Sequence, residues 1–296
     1  MNQPLWPVDL GPVICVVGAR PNFMKMAPIL RAFSKSIPVI PTLLVHTGQH
    51  YDKDMNDKLF EDLRLPRPDI NLEVGSSSHA VQTAEVMRRF EPVIDQHRPS
   101  CVLVVGDVNS TLACTLVAVK KGISVVHVEA GLRSYDRKMP EEINRLLTDQ
   151  IADRLYTTER RAEDNLVREG IAASRVCFVG NVMIDSLIHN LEFARSPAAT
   201  LTGGGFDAAV LGGSEGYGVV TLHRPSNVDQ AETLASLLRV LNEISHQLPL
   251  IFALHPRTRT NIERFGLCHL VDNPHLMLLP PQGYLEMLGL IAGARI

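Results

Sequence analysis

The 296-residue sequence has no CxxC pair, no GxGxxG turn and no GxxxxGK[ST] loop. Each absence closes off a class. Without the glycine motifs, neither a dinucleotide site nor a P-loop nucleotide site is supported. Five cysteines (15, 101, 114, 177 and 268) are an odd number without paired spacing. They read as reduced thiols of a cytoplasmic protein, and Cys15, Cys101 and Cys177, set inside apolar runs, are expected to be buried. No apolar run is long enough to span a bilayer. The opening "MNQPLWPVDLGP" lacks the basic-then-apolar order of a secretory signal. Long basic runs and a charged tail are missing, and the net charge is only −3. Nucleic acid and membrane are therefore not expected as partners. What remains is a chain of one large or two ordinary domains, 45% hydrophobic, which suffices for a sizeable core.

Short β-branched runs recur at "VICVV" (13–17), "IPTLLV" (40–45), "CVLVV" (101–105), "SVVHV" (124–128) and "RVCFV" (175–179). Between them lie stretches of helical spacing, "MKMAPILRAF", "AVQTAEVMRRF" and "STLACTLVAVKK". Continuous apolar strands alternating with helices predict an α/β fold with a parallel sheet covered on both faces. The pattern restarts with "YGVVTL", "LPLIFAL" and "HLMLL". The Gly-rich 201–216 reads as the loop entering a second α/β domain, with the boundary near Gly180. The expected domains are 1–180 and 181–296.

In open α/β sheets ligands bind beyond the carboxyl ends of the strands. Those ends read "GARPN", "HTGQH", "GDVNST", "EAGLR", "GN", "HRPSN" and "HPRT". Gly18, Arg20 and Pro21 mark a tight turn into a helix, with Lys25 one turn in, a seat for phosphate. An ordinary surface Arg and Lys is an equally good reading of that stretch. Asp107 and Ser110 could cap the helix they precede. Glu129 ends a buried strand, where a charge is costly to desolvate without a partner or a task; Arg133, four residues on, is the competing partner. Pro140, Glu141 and Glu142 suit a helix N-terminus, and Glu141 with Arg145 is an i, i+4 pair. Taken together, the acids at 107, 129 and 141 could instead divide the roles of base and acid. His223 with Arg224 and His255 with Arg257 each end a strand of the second half and could grip a diphosphate. His46 and His50 have zinc-pair spacing, but Gly48 between them spoils the helix, so no metal is expected.

The set "GARPNFMKMAPI", "HTGQHYD", "VVGDVNSTLA", "HVEAGLRS", "MPEEINR", "GNVMID" and "TLHRPSNVD", in this order, resembles the non-hydrolysing UDP-N-acetylglucosamine 2-epimerase family from about Val13 to Ile296. The resemblance implies two Rossmann-like domains facing a cleft, as in GT-B glycosyltransferases. It also implies interconversion of UDP-N-acetylglucosamine and UDP-N-acetylmannosamine through loss and return of UDP, with no cofactor. Such an elimination needs a base, an acid for the opposite face and cations for the departing diphosphate. The family's acids fall on Asp107, Glu129 and Glu141, with Glu142 an adjacent alternative; which is the base stays open. The diphosphate contacts fall on Arg20, Lys25 and His223, and nucleotide contacts on Asn181, His255 and Arg257. The implied partner is a UDP-N-acetylhexosamine, and the implied assembly a homodimer.

The family continues past "GLIAGARI" into an Asp-Ser-Gly-Gly segment, paired glutamates and a returning helix, so the second domain is expected to be incomplete. A hydrolysing epimerase, a GT-B glycosyltransferase and a non-catalytic UDP-sugar binder are the rival readings.

Overall fold

The computed structural model describes residues 11–48, 59–212 and 216–296. The chain divides into two compact units, 1–186 and 187–296. Gly180, where the sequence pattern put the boundary, lies in the turn before a helix, α6 (Val182–Leu191), that carries the division.

The first unit is built on a seven-stranded sheet: β1 (Val13–Val17), β2 (Thr42–His46), β3 (Ile70–Asn71), β4 (Cys101–Val105), β5 (Ser124–Ala130), β6 (Arg154–Thr157) and β7 (Val176–Phe178). Every pairing is parallel, in the order β3-β2-β1-β4-β5-β6-β7. β1 and β4 are buried at all five positions, as a strand covered on both faces should be. Ile14, Val16, Val102 and Val104 pack with Val86 and Phe90 of α2 (His79–His97) and with Ala113 and Val117 of α3 (Asn109–Lys120). Each such fully buried aliphatic side chain stabilises the fold by about 1.5–3 kcal/mol. Between β1 and β2 runs α1 (Arg20–Lys35), with Pro21 in the first turn, where a missing N–H costs nothing, and a second proline, Pro28, inside the helix. The unit is completed by α4 (Pro140–Ile151) and α5 (Arg160–Arg168).

The second unit has three parallel strands, β8 (Gly218–Val220), β9 (Leu250–Ala253) and β10 (Leu276–Leu279), in the order β10-β9-β8. Period-2 alternation sends Leu250 and Phe252 to a cluster with Leu234 and Leu238 of α9 (Ala231–Ser245). Ile251 faces the opposite cluster, with Leu201, Met277 and Leu290. Helices α7 (Pro197–Gly203), α8 (Pro225–Val228), α10 (Pro256–Arg264) and α11 (Tyr284–Gly293) fill out this unit. The N–H of Val219 bonds the Ile296 carbonyl at 2.9 Å, and Arg295 N–H bonds Tyr217 O at 2.9 Å, so the last residues run alongside β8.

The α/β class is as expected, with Rossmann-like alternation in both units. Three details differ. β6 ("RLYT") and β3 are strands that the apolar-run criterion passes over. The Gly-rich 201–216 is not merely a loop, because α7 ends in it and a 3₁₀ turn occupies Ala208–Gly212. Cys177 is exposed rather than buried, since it sits on β7, the edge strand of the sheet. Cys15, Cys101 and Cys114 are buried and all five thiols are free.

Candidate active site

From β1 the chain steps outward through β2 to β3, then returns to β4 on the other side and steps outward again to β7. The adjacent ends of β1 and β4 are thus the switch point of the sheet, where the two loops diverge and leave a crevice. The Gly18–Arg20 turn follows β1, and Gly106–Asp107 follows β4. Glu129 sits near the end of β5, the next strand over.

The turns are held by specific contacts. The Asn22 carboxamide oxygen accepts from the N–H groups of Gly18 and Ala19, both at 3.0 Å, while its amide donates to Val105 O at 2.9 Å. This pins the β1 turn to the end of β4. A side chain at Gly18 would overlap the Ser110 hydroxyl, which is itself 2.7 Å from Thr47 Oγ1. Gly106 has φ +70, and a Cβ there would lie 2.9 Å from Lys25 Nζ and 3.3 Å from Glu129 Oε2. Only glycine meets both demands.

Lys25, one turn into α1, is buried and forms an ion pair with Glu129 Oε2. Glu129 adopts φ +72 at a β-bulge, where the register shifts between Val128 and Ala130. A non-glycine residue in this region costs roughly 1 kcal/mol and persists only where its surroundings require it. The bulge aims the carboxylate at Lys25, so the competing Glu129–Arg133 pair does not form. Arg133 instead bonds Asp149 and Glu169, at 2.8 and 2.6 Å.

Asp107 does not cap α3, whose N-terminus has no side-chain cap. It accepts from Arg145 Nη1 at 2.5 Å. Arg145 also donates to Glu142 from Nε at 2.9 Å and from Nη2 at 2.7 Å, so the expected Glu141–Arg145 pair is replaced by one at i, i+3. Glu142 further accepts from the N–H groups of Ser134 and Tyr135, at 3.0 and 2.9 Å. Burial alone would raise its carboxyl, but these donors and Arg145 outweigh it and hold the pKa at about 2. Glu141, its neighbour in the first turn of α4, is half-buried. Asn144 Nδ2 donates to the backbone oxygen of Asp107 at 2.9 Å, tying α4 to the β4 end.

Behind this layer His127, fully buried, places Nδ1 2.7 Å from Asp149 Oδ1 and Nε2 2.8 Å from Gly106 O. Asp149 is equally buried. Burial would raise its carboxyl, but His127, Arg133 and the Gly131 N–H outweigh that and hold it below the usual range.

A family profile described as UDP-N-acetylglucosamine 2-epimerase matches residues 34–296. A UDP-N-acetylglucosamine 2-epimerase of Methanococcus maripaludis is 40% identical over 284 residues, covering 95% of this chain and 75% of that protein. The chain belongs to the UDP-N-acetylglucosamine 2-epimerase family. Its class is that of an isomerase. A UDP-2,3-diacetamido-2,3-dideoxy-D-glucuronate 2-epimerase of Pseudomonas aeruginosa is similar at 39% identity, over 94% of this chain and 75% of that one. Among solved structures, the Methanocaldococcus jannaschii UDP-GlcNAc 2-epimerase in complex with UDP-GlcNAc and UDP aligns with TM-score 0.78 and 38% identity. That alignment covers 96% of this chain and 77% of that one.

Within the family frame, Asp107 and Glu129 lie at the ends of neighbouring strands, Lys25 reaches Glu129 from α1, and Arg20 is exposed at the start of that helix. Asn181 Oδ1 accepts from Met183 N–H at 2.9 Å, opening α6. In the second unit the exposed rings of His223 and His255, after β8 and β9, lie 6.1 Å apart. His255 Nδ1 accepts from Arg257 N–H at 3.2 Å, and the Arg257 guanidinium pairs with Asp229. His46 is buried at the end of β2, its ring 5.4 Å from Phe23; His50 lies outside the described residues. Among the described residues no cluster has three metal-ligating side chains, and no helix is long and apolar enough to cross a membrane. Sequence spacing missed Arg145, His127 and Asp149. Arg145 was in view only as a helix pair, while His127 and Asp149 are 22 residues apart and meet only through the sheet.

Proposed function

We propose that the chain interconverts UDP-N-acetylglucosamine and UDP-N-acetylmannosamine. A carboxylate removes the C2 proton, and its electron pair forms the C1=C2 bond as the C1–O bond breaks toward the β-phosphate of UDP. UDP then bonds C1 of the glycal again while a proton reaches C2 from the opposite face. Oxidation state is unchanged overall, so the step itself requires no redox cofactor.

The observation that carries this reading is two carboxylates, Asp107 and Glu129, at the ends of the adjacent strands β4 and β5 beside the switch point, with the Lys25 ammonium against one of them. An elimination needs that combination, whereas simple nucleotide binding does not. Asp107, Glu129 and Glu141 supply the base and acid. Glu142, already bound by two backbone N–H groups and Arg145, is a structural carboxylate, which supports Glu141 of the adjacent pair. Arg20 and Lys25 hold the diphosphate and His223 assists its departure, while Asn181, His255 and Arg257 bind nucleotide. The same reading includes a cytoplasmic homodimer acting in polysaccharide biosynthesis.

Proton NMR of the purified chain with UDP-N-acetylglucosamine tests it. The expected result is a growing anomeric signal of UDP-N-acetylmannosamine. Free N-acetylmannosamine with UDP would overturn it in favour of a hydrolysing enzyme. The Pseudomonas relative, similar at 39% identity, supports one second reading, a UDP-diacetamidoglucuronate substrate. Turnover of that sugar alone, in parallel incubations, would establish it.

A further inference from the structure

Three charged or ionisable groups lie behind the candidate acids: His127 and Asp149, both fully buried, and Arg133, whose side chain is 1% exposed. Apolar residues of similar volume would serve stability as well or better. What an apolar trio could not supply is directed hydrogen bonds, and these reach two backbone points that flank the acids. His127 Nε2 donates to Gly106 O, the carbonyl of the peptide that leads into Asp107. Asp149 Oδ2 accepts from the Gly131 N–H at 3.0 Å, two residues past Glu129. His127 itself lies two residues before Glu129, and Gly106 N–H donates to Val128 O at 3.1 Å. Residue Gly106 is therefore gripped from β5 at both its N–H and its C=O. Three left-handed residues, Gly106, Glu129 and Gly131, occur in this small region. Such backbone holds its shape only when over-determined by its surroundings.

We propose that His127, Asp149 and Arg133 are positioning residues for the epimerisation: a buried relay that fixes the β4 and β5 ends so that Asp107 and Glu129 keep the separation and aim the reaction needs. Gly106 O can only accept and the Asp149 carboxylate accepts, so both ring nitrogens of His127 donate. The ring is a two-armed brace from α4 to the β4 turn. Arg133 closes the brace from the far side, bonding Asp149 and Glu169. None of the three has a hydrogen bond to Asp107, Glu129 or Lys25, so their effect passes through the backbone.

This rests on the epimerase reading, and two measurements separate the two claims. In the first, Asp149→Asn and His127→Phe are assayed with UDP-N-acetylglucosamine, with active molecules counted by UDP binding. Misplacement of reacting groups by about 1 Å costs on the order of 10²-fold in rate. The expected result is a kcat loss of roughly that size, with KM changed less than about threefold. A merely structural role would lower the melting temperature and leave kcat per UDP-binding molecule unchanged, which would overturn the proposal. The second measurement needs neither turnover nor a folded variant. In ¹⁵N NMR of the unmodified 296-residue chain, with the His127 ring assigned through bonds to its own backbone, both ring nitrogens should carry a slowly exchanging proton. A ring with only one N–H has only one arm and would overturn the brace. An inactive parent chain with both protons present would sink the epimerase reading instead.

Discussion

Glu142→Gln isolates one carboxylate by replacing it with a near-isostere. Glu142 is 1% exposed and accepts from two backbone N–H groups and twice from Arg145. Against its own burial, these donors hold its pKa at about 2, below the ordinary 4.5. A depression of that size corresponds to roughly 3 kcal/mol of folding stability at neutral pH, which solvent screening of the Arg145 contact trims to about 2 kcal/mol. The sign follows from the direction: the contribution is complete above pH 4.5 and is lost as pH falls toward 2. Urea unfolding followed by circular dichroism should therefore show the variant about 2 kcal/mol less stable at pH 7. By pH 3 more than half of that difference should be gone, because the parent carboxyl is then taking up its proton in the unfolded chain. A gap that stays constant from pH 7 to pH 3 would refute the ionic role given to Glu142.

Three further outcomes are expected. Lys25→Met leaves the nearly buried Glu129 carboxylate without its ammonium, which should cost about 3 kcal/mol and abolish turnover; adding Glu129→Gln should recover most of the melting temperature and none of the activity. Gly106→Ala places a Cβ 2.9 Å from Lys25 Nζ at φ +70, so a loss of about 1–3 kcal/mol by denaturation and a matching collapse of rate are predicted. A thiol reagent should titrate two cysteines of the native chain rapidly, Cys177 and Cys268, and all five after unfolding; burial raises the Cys15, Cys101 and Cys114 thiols, the second to about 11.

The strands that were legible in sequence are those with an aliphatic run, whether buried throughout, as β1 and β4 are, or largely exposed, as β7 is. β1 and β4 read as apolar runs because helices cover both faces of the sheet there, and β5 keeps its apolar run although Ser124 is exposed and Glu129 half-buried. β6 escaped because it opens with the exposed Arg154 and has no continuous apolar run, and β3 is only two residues. Strand-end chemistry was legible for a related reason: glycines, acids and cations after buried strands stand out against their apolar context. Pairing was not. Local spacing offered Arg133 to Glu129 and Arg145 to Glu141, but the bulge at Glu129 turned its carboxylate to α1, and the α4 helix presented Glu142 to Arg145. Neither a one-residue register shift nor the meeting of His127 with Asp149 has a sequence signal, since both depend on how β4, β5 and α4 pack. Cys177 looked buried in an apolar run; its place on the edge strand follows only from strand order.

The most direct measurement is deuterium incorporation. The chain is incubated with UDP-N-acetylglucosamine in D₂O and position C2 is read by proton NMR, with Asp107→Asn and Glu129→Gln alongside. One deuterium at C2 of UDP-N-acetylmannosamine is predicted, together with loss of exchange in both variants. Product that keeps its original C2 proton, or unchanged exchange in the two variants, would contradict elimination driven by these carboxylates.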